Sequence, residues 1–225
     1  MCFPFHYIVP NVYKTYRDDN LYRTCERHRS KMKVSFYYKN GKLKKVLHYK
    51  NQQLDGPMMV YSIDGAIEKC VHYANGVRHG KMFENYTEEK QYLKQTGNFH
   101  CGKQNGTFYH YSKGGSLMAI HNYCHGLKHG KQYLFHDNGT VESQQSYHYG
   151  ELDGNSYFYD NNGFVLLQVY YMRGKKVFEN TQSMAMEECS VCFEETNFKT
   201  KCKHPVCIEC KEQISLCPIC RRHLL

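Results

Sequence analysis

The chain has 225 residues, of which 41% are hydrophobic and 23% charged, and carries a formal charge of +9. That length suits one large domain or two modest ones. No run of eighteen apolar residues occurs, and Met1 to Pro10 lack a cationic start followed by an apolar stretch, which predicts an intracellular protein, cytoplasmic or nuclear, with neither secretory leader nor transmembrane segment.

The positive charge is concentrated at the start. Residues 1–50 hold twelve Lys or Arg against Asp18, Asp19 and Glu26, whereas residues 51–225 carry eighteen of each sign. Arg23, Arg27, Arg29, Lys31 and Lys33 lie close together, with Lys42, Lys44 and Lys45 a little further on. Such a segment suits anionic lipid, nucleic acid or an acidic partner, and equally a solvated cap on the next stretch of chain. The run His28-Arg29-Ser30-Lys31-Met32 echoes Arg78-His79-Gly80-Lys81-Met82, so residues 1–36 read as a basic N-terminal region or degenerate cap.

From residue 37 to 174 the chain repeats itself about every 24 residues, with Tyr37, Tyr61, Thr87, Tyr111, Phe135 and Tyr159 as first positions of six copies. The second step is two residues longer, through an insertion at Glu84 to Tyr86. A fixed period of this size marks an array in which each unit completes its neighbour's core. Asn40-Gly41, Asp64-Gly65, Asn138-Gly139 and Asn162-Gly163 predict type I′ turns, and hence tight hairpins. Position seven (Leu43, Ile67, Leu93, Leu117, Val141, Val165) and position thirteen (Tyr49, Tyr73, Phe99, Tyr123, Tyr147, Tyr171) are both odd, which places them on one face of an extended strand. The expected fold is mostly β, an elongated antiparallel hairpin array. His79 and His129 share position nineteen with Asp55, Asn105 and Asp153, which points to turn chemistry rather than metal chemistry. The repeats contain no nucleophile elbow, P-loop or suggestive carboxylate pair.

Residues 175–188 break the repeat and lack strand alternation, and so read as a linker with a short helical turn at Met184 to Glu187. Beyond it, Cys189, Cys192, Cys202, His204, Cys207, Cys210, Cys217 and Cys220 form four metal-ligand pairs within residues 189–225. Phe193, Phe198, Val206, Ile208, Ile214 and Leu216 are too few apolar groups to offset the chain entropy of that segment. Two zinc ions, held by thiolate and imidazole in closed sets of four, would supply the missing folding free energy. A disulfide framework fits less well, given the absent leader and a His at ligand spacing. The remaining cysteines, Cys2, Cys25, Cys70, Cys101 and Cys124, have no CxxC spacing and are expected as free thiols.

The repeats, reading Tyr-x-x-Asn-Gly, then Tyr-x-x-Gly, then a turn such as Leu127-Lys128-His129-Gly130-Lys131, resemble a divergent MORN repeat, which implies a binding or scaffolding surface. The C-terminal spacing, with His as fourth ligand, resembles the RING finger of seven Cys and one His. That resemblance implies Cys189, Cys192, Cys207 and Cys210 on the first zinc and Cys202, His204, Cys217 and Cys220 on the second. It also implies a RING-type ubiquitin ligase that binds a ubiquitin-conjugating enzyme charged with ubiquitin, while the repeats recruit an unknown protein target. Val191, Pro218 and Ile219 match residues that dock on the conjugating enzyme. Ile214 stands where many members carry Trp, and Arg221 matches the cationic linchpin between carrier and ubiquitin. The competing expectation is a non-catalytic zinc-containing scaffold or membrane-associated interaction protein. The joining of the two parts resembles proteins of large DNA viruses.

Overall fold

The computed structural model describes residues 11–18, 20–87, 92–180, 187–196, 204–221 and 223. The described residues between 11 and 180 form one antiparallel sheet of 18 strands laid down in chain order, in which the two-residue strands Gln53–Leu54, Lys103–Gln104 and Leu127–Lys128 each share a partner strand with the strand that follows them. The expected hairpin array is therefore the architecture of this region. It begins before residue 37: Asn11–Arg17 pairs with Asn20–His28, and that strand with Lys31–Tyr37. The ladder also runs past residue 174. Lys175–Asn180, expected as linker, is the last strand, with Met172 opposite Lys175 and Tyr170 opposite Phe178. A terminal strand has one neighbour only, so it can carry charged, exposed side chains, and Lys175, Lys176 and Val177 show no apolar alternation to read. The predicted helical turn at Met184 to Glu187 falls mostly outside the described residues, and Glu187 itself lies in the short strand Glu187–Glu188, paired with Glu195–Thr196.

The turns differ from expectation in an instructive way. At Asn40-Gly41 only the glycine has positive φ, and the Gly41 amide donates to the Tyr38 carbonyl at 2.9 Å. This is a type I turn followed by one left-handed residue, rather than a type I′ turn. Asn40 Oδ1 instead accepts from the Lys42 amide at 3.1 Å, the local bond that favours Asn there. The turns with positive φ at both centres lie at positions fifteen and sixteen, in Asn51-Gln52, Asn75-Gly76, Cys101-Gly102, His125-Gly126, Tyr149-Gly150 and Arg173-Gly174. Successive turns are tied together along that edge of the sheet. The amides of Gly102, Gly126, Gly150 and Gly174 donate to the carbonyls of Arg78, Gln104, Lys128 and Leu152 at 2.8 Å.

Position thirteen stands across from the glycine of position twenty in five neighbouring pairs: Gly56 with Tyr73, Gly80 with Phe99, Gly106 with Tyr123, Gly130 with Tyr147 and Gly154 with Tyr171. Each ring can cover backbone that a glycine leaves bare, which explains why the two positions recur together. The apolar core lies mid-array, where Val71, Met82, Phe99 and Phe108 are buried against Met58, Tyr73 and Tyr123. Phe108 meets Phe99 and Tyr123 edge-on, with ring centroids 5.7 and 5.3 Å apart. It fits because Gly97 has no side chain: a Cβ there would lie 2.4 Å from the ring. Toward the C-terminal end the interior turns polar, with Gln132, Ser143, Ser156 and Gln168 buried. Gln132 is bonded on both sides, accepting from the Asn122 amide at 3.0 Å and donating to the Asn122 and Gly130 carbonyls at 3.0 and 3.1 Å. Among the described residues, no helix is long and apolar enough to cross a membrane.

Candidate metal centre

The C-terminal segment brings its ligands together in interleaved order. Ligand atoms of Cys189, Cys192, Cys207 and Cys210 lie within 4.8 Å of one another, and those of His204, Cys217 and Cys220 form a second such group. The eighth expected ligand, Cys202, lies outside the described residues. The spacings suit zinc. A tetrahedral ion with Zn–S of about 2.3 Å and Zn–N of about 2.0 Å has S···S edges of about 3.8 Å and S···N edges of about 3.5 Å. Cys192 Sγ and Cys207 Sγ are 3.7 Å apart, and Cys217 Sγ stands 3.4 Å from His204 Nδ1, the ring nitrogen that could share an ion with it.

Local backbone explains how a short segment presents these groups. The Cys189 amide donates to the Glu194 carbonyl at 2.8 Å, and the Phe193 amide to the Cys189 carbonyl at 3.0 Å, which closes a tight knuckle around the first pair. The last pair repeats it, with the Arg221 amide bonded to the Cys217 carbonyl at 2.8 Å. Phe193 and Arg221, each directly after the second cysteine of its pair, both take positive φ, 62° and 56°. Cys207 caps the helix Ile208–Gln213, accepting from the Cys210 amide at 3.4 Å, so one cap sets the third pair. Ser190 Oγ donates to the Pro205 carbonyl at 2.7 Å and its amide to the same carbonyl at 2.9 Å, joining the first knuckle to the segment before the helix. Sequence reasoning passes over Ser190; its position between two ligands is the available signal.

The electrostatics divide the four thiols of the first group. Burial raises the Cys189 thiol, but amides of Cys192, Cys207 and Val191 outweigh it and bring it down to about 6. Burial pushes Cys207 up, as do hydrogen bonds with the neighbouring thiols. Four sulfurs this close cannot all ionise unaided, and a divalent cation removes that conflict. The core is correspondingly small: Cys189, Val206, Cys207 and Cys210 are buried, and Ile214 packs against them. Ile214, expected at a partner surface, is thus half-buried and part of the module's packing. Val191 and Ile219 are 39% and 54% exposed, and Pro218 and Arg221 are also exposed.

Elsewhere several candidate features take part in the turns and ring contacts of the array. In five of the six copies the side chain at position nineteen caps the next repeat's turn: Asp55 with the Asn75 amide, His79 with Cys101, Asn105 with His125, His129 with Tyr149 and Asp153 with Arg173, at 3.3 to 3.5 Å. His79 and His129 thus take part in the turns, as expected, while His79 also stands in a group of three potential metal ligands with His100 and Cys101. In the basic region, Lys33 lies 3.7 Å from Glu26, Arg23 lies over the Phe36 ring and Lys44 over Tyr38. Residues 1–10 lie outside the described part. Cys25, Cys70, Cys101 and Cys124 are free thiols.

No curated protein matches the chain. Among solved structures, a porin-like protein from Bacteroides uniformis is 11% identical over 75% of this chain and 92% of its own, with a TM-score of 0.20. S. aureus TarM, a variant solved in complex with fondaparinux, alpha-GlcNAc-glycerol and UDP, is 12% identical over 50% of this chain, with a TM-score of 0.26. This chain spans 20% of the TarM chain's length, and TM-scores this low bear on neither fold nor function. The family described as MORN repeat variant matches residues 32–51 and 128–149, so repeats of that kind occur in two separate parts of the array.

Proposed function

We propose that the chain is a RING-type ubiquitin ligase, with the C-terminal module binding two Zn2+ and a charged ubiquitin-conjugating enzyme, and the repeats recruiting the target. The observation that carries this reading is the interleaving of ligand groups, the first pair with the third and His204 of the second pair with the fourth. Two sequential fingers would group neighbouring pairs instead. Val191 and Ile219 offer an exposed apolar surface beside the metal groups, suited to a carrier protein. Arg221, held by the last knuckle, offers a planar fork able to bond two carbonyls at once. Such a module works by positioning. Holding ubiquitin against its carrier removes conformational freedom and presents the thioester to an incoming lysine, with no covalent intermediate on this chain. In the viral setting that the domain combination resembles, carrier and ubiquitin would come from the host. The basic N-terminal region is a secondary contact for an acidic partner or anionic lipid.

The test is single-turnover discharge of ubiquitin from a charged carrier to free lysine, read beside zinc content. Val191→Ala and Arg221→Ala should each slow discharge at least tenfold with zinc content unchanged. If the wild-type chain discharges no faster than the carrier alone, the non-catalytic scaffold replaces the ligase.

A further inference from the structure

The edge of the array where the two-residue turns stack carries a second kind of site. His79, which caps the next turn along, stands beside His100 and Cys101 of the next repeat, and the three ligand atoms lie within 4.8 Å of one another. The two imidazole rings are 5.0 Å apart. His100 and Cys101 are exposed, and the Cys101 thiol is free. We propose that His79, His100 and Cys101 bind a borderline-soft divalent cation of the zinc class, with the fourth position open to solvent.

The chemistry of the set favours this. Two imidazoles and one thiolate form a donor combination that zinc takes in tetrahedral sites with one position left for water. The His79 Nδ1 lone pair meets the Cys101 amide only at 3.5 Å, a long contact that a metal bond would replace at little cost. The turn keeps its other tie, the Gly102 amide to the Arg78 carbonyl at 2.8 Å. The repeat itself supplies internal comparisons. The same three positions hold Asp55, Ala74 and Asn75 one repeat earlier, where neither imidazole nor thiol is present. Two repeats later they hold His129, His148 and Tyr149, with rings of the two histidines 5.3 Å apart but Tyr in place of the thiol. One repeat later they hold Asn105, Cys124 and His125, with Asn in place of the first imidazole, so the array holds one three-donor set and two that are a single residue short. Sequence alone obscures this, because His79 is more than twenty residues from Cys101 and meets it only through the stacking of turns.

These comparisons also give substitutions that the turn already tolerates. His79→Asn copies Asn105 and keeps a cap, and Cys101→Asn copies Asn75 and keeps a residue at ease with positive φ. The full chain, with its C-terminal groups saturated by zinc, is titrated with Co2+ and with Zn2+, and bound ions are counted by native mass spectrometry. Wild type should take one further ion and show a sulfur-to-cobalt charge-transfer band. Each variant should lose both, weakening binding at least tenfold, with the array's melting temperature unchanged. Tyr149→Cys should add another ion by completing the His129 and His148 set. An extra ion that persists in both variants, or none in the wild type, overturns the proposal. The count depends on Cys101 whether or not the C-terminal groups bind zinc, so its failure is separate from any failure of the ligase reading.

Discussion

The array and the C-terminal module solve the same shortage of apolar burial in opposite ways. In the array, cohesion is distributed: hairpin is laddered to hairpin, turns are tied edge to edge, and the central cluster of Val71, Met82, Phe99 and Phe108 is modest. In the module, Val206 and Ile214 pack on a group of cysteines, and nothing substitutes for the ion those thiols would hold. A distributed ladder loses stability by increments, whereas a metal-held segment loses it in one step. Metal removal should therefore have the largest effect. Chelation should expose residues 187–221 to limited proteolysis while residues 11–180 stay protected, and Cys189→Ser should do the same without chelator. A single transition in which both regions open together would break the contrast.

A smaller effect probes where the array is least distributed. Phe108 is 1% exposed and touches rings from both sides, so Phe108→Ala should cost about 3–5 kcal/mol by loss of packing and the cavity left behind. Gly97→Ala forces a Cβ into that ring and should cost about 1–3 kcal/mol by overpacking. Urea unfolding monitored by tyrosine signals measures both, since the chain has no Trp. Zinc content should be unchanged in either variant. Costs below about half a kcal/mol, the range of an ordinary surface substitution, would mean that the cluster is no more central than any other repeat.

Much of this is legible in the sequence, for a physical reason: repeats average out local ambiguity. The period yields the hairpins, the shared face of positions seven and thirteen, and the capping role of position nineteen, because five copies use Asp, Asn or His interchangeably as acceptors. Sequence places the turn types on the wrong hairpin because Asn-Gly is favoured in two geometries, as both centres of a type I′ turn or as the end of a type I turn followed by a left-handed glycine. Cys101, His125, Tyr149 and Arg173, which take the positive φ, carry no compositional signal for it. The last strand escapes a pattern reading because an edge strand need not alternate. The ligand pairs are visible from spacing, but the packing role of Ile214 depends on its lying against the buried cluster of Cys189 and Val206, a three-dimensional fact.

The smallest effect separates the two regions by acid. Glu84 bridges three strands, accepting from Lys69 at 2.9 Å, Lys94 at 3.0 Å and Gln95 at 3.1 Å. Its partial burial alone would raise its pKa, but those bonds outweigh it and hold the carboxyl at about 2. Because the folded value lies below the unfolded one, the stabilisation is fully present above the ordinary carboxylate range and is lost as pH falls through it toward 2. After discounting for solvent screening the network contributes about 1 kcal/mol. Protonation of thiolates and imidazole should release metal from the module at higher pH than this, so acid should open the module first and loosen the array afterwards. Urea unfolding of the array from about pH 6 to about pH 2.5 measures the second step. Glu84→Gln should be less stable than wild type by about 1 kcal/mol at about pH 6, with the gap closing as pH approaches 2. A gap that stays constant across that range would assign the loss to packing and remove the charge network from the account of how the array holds together.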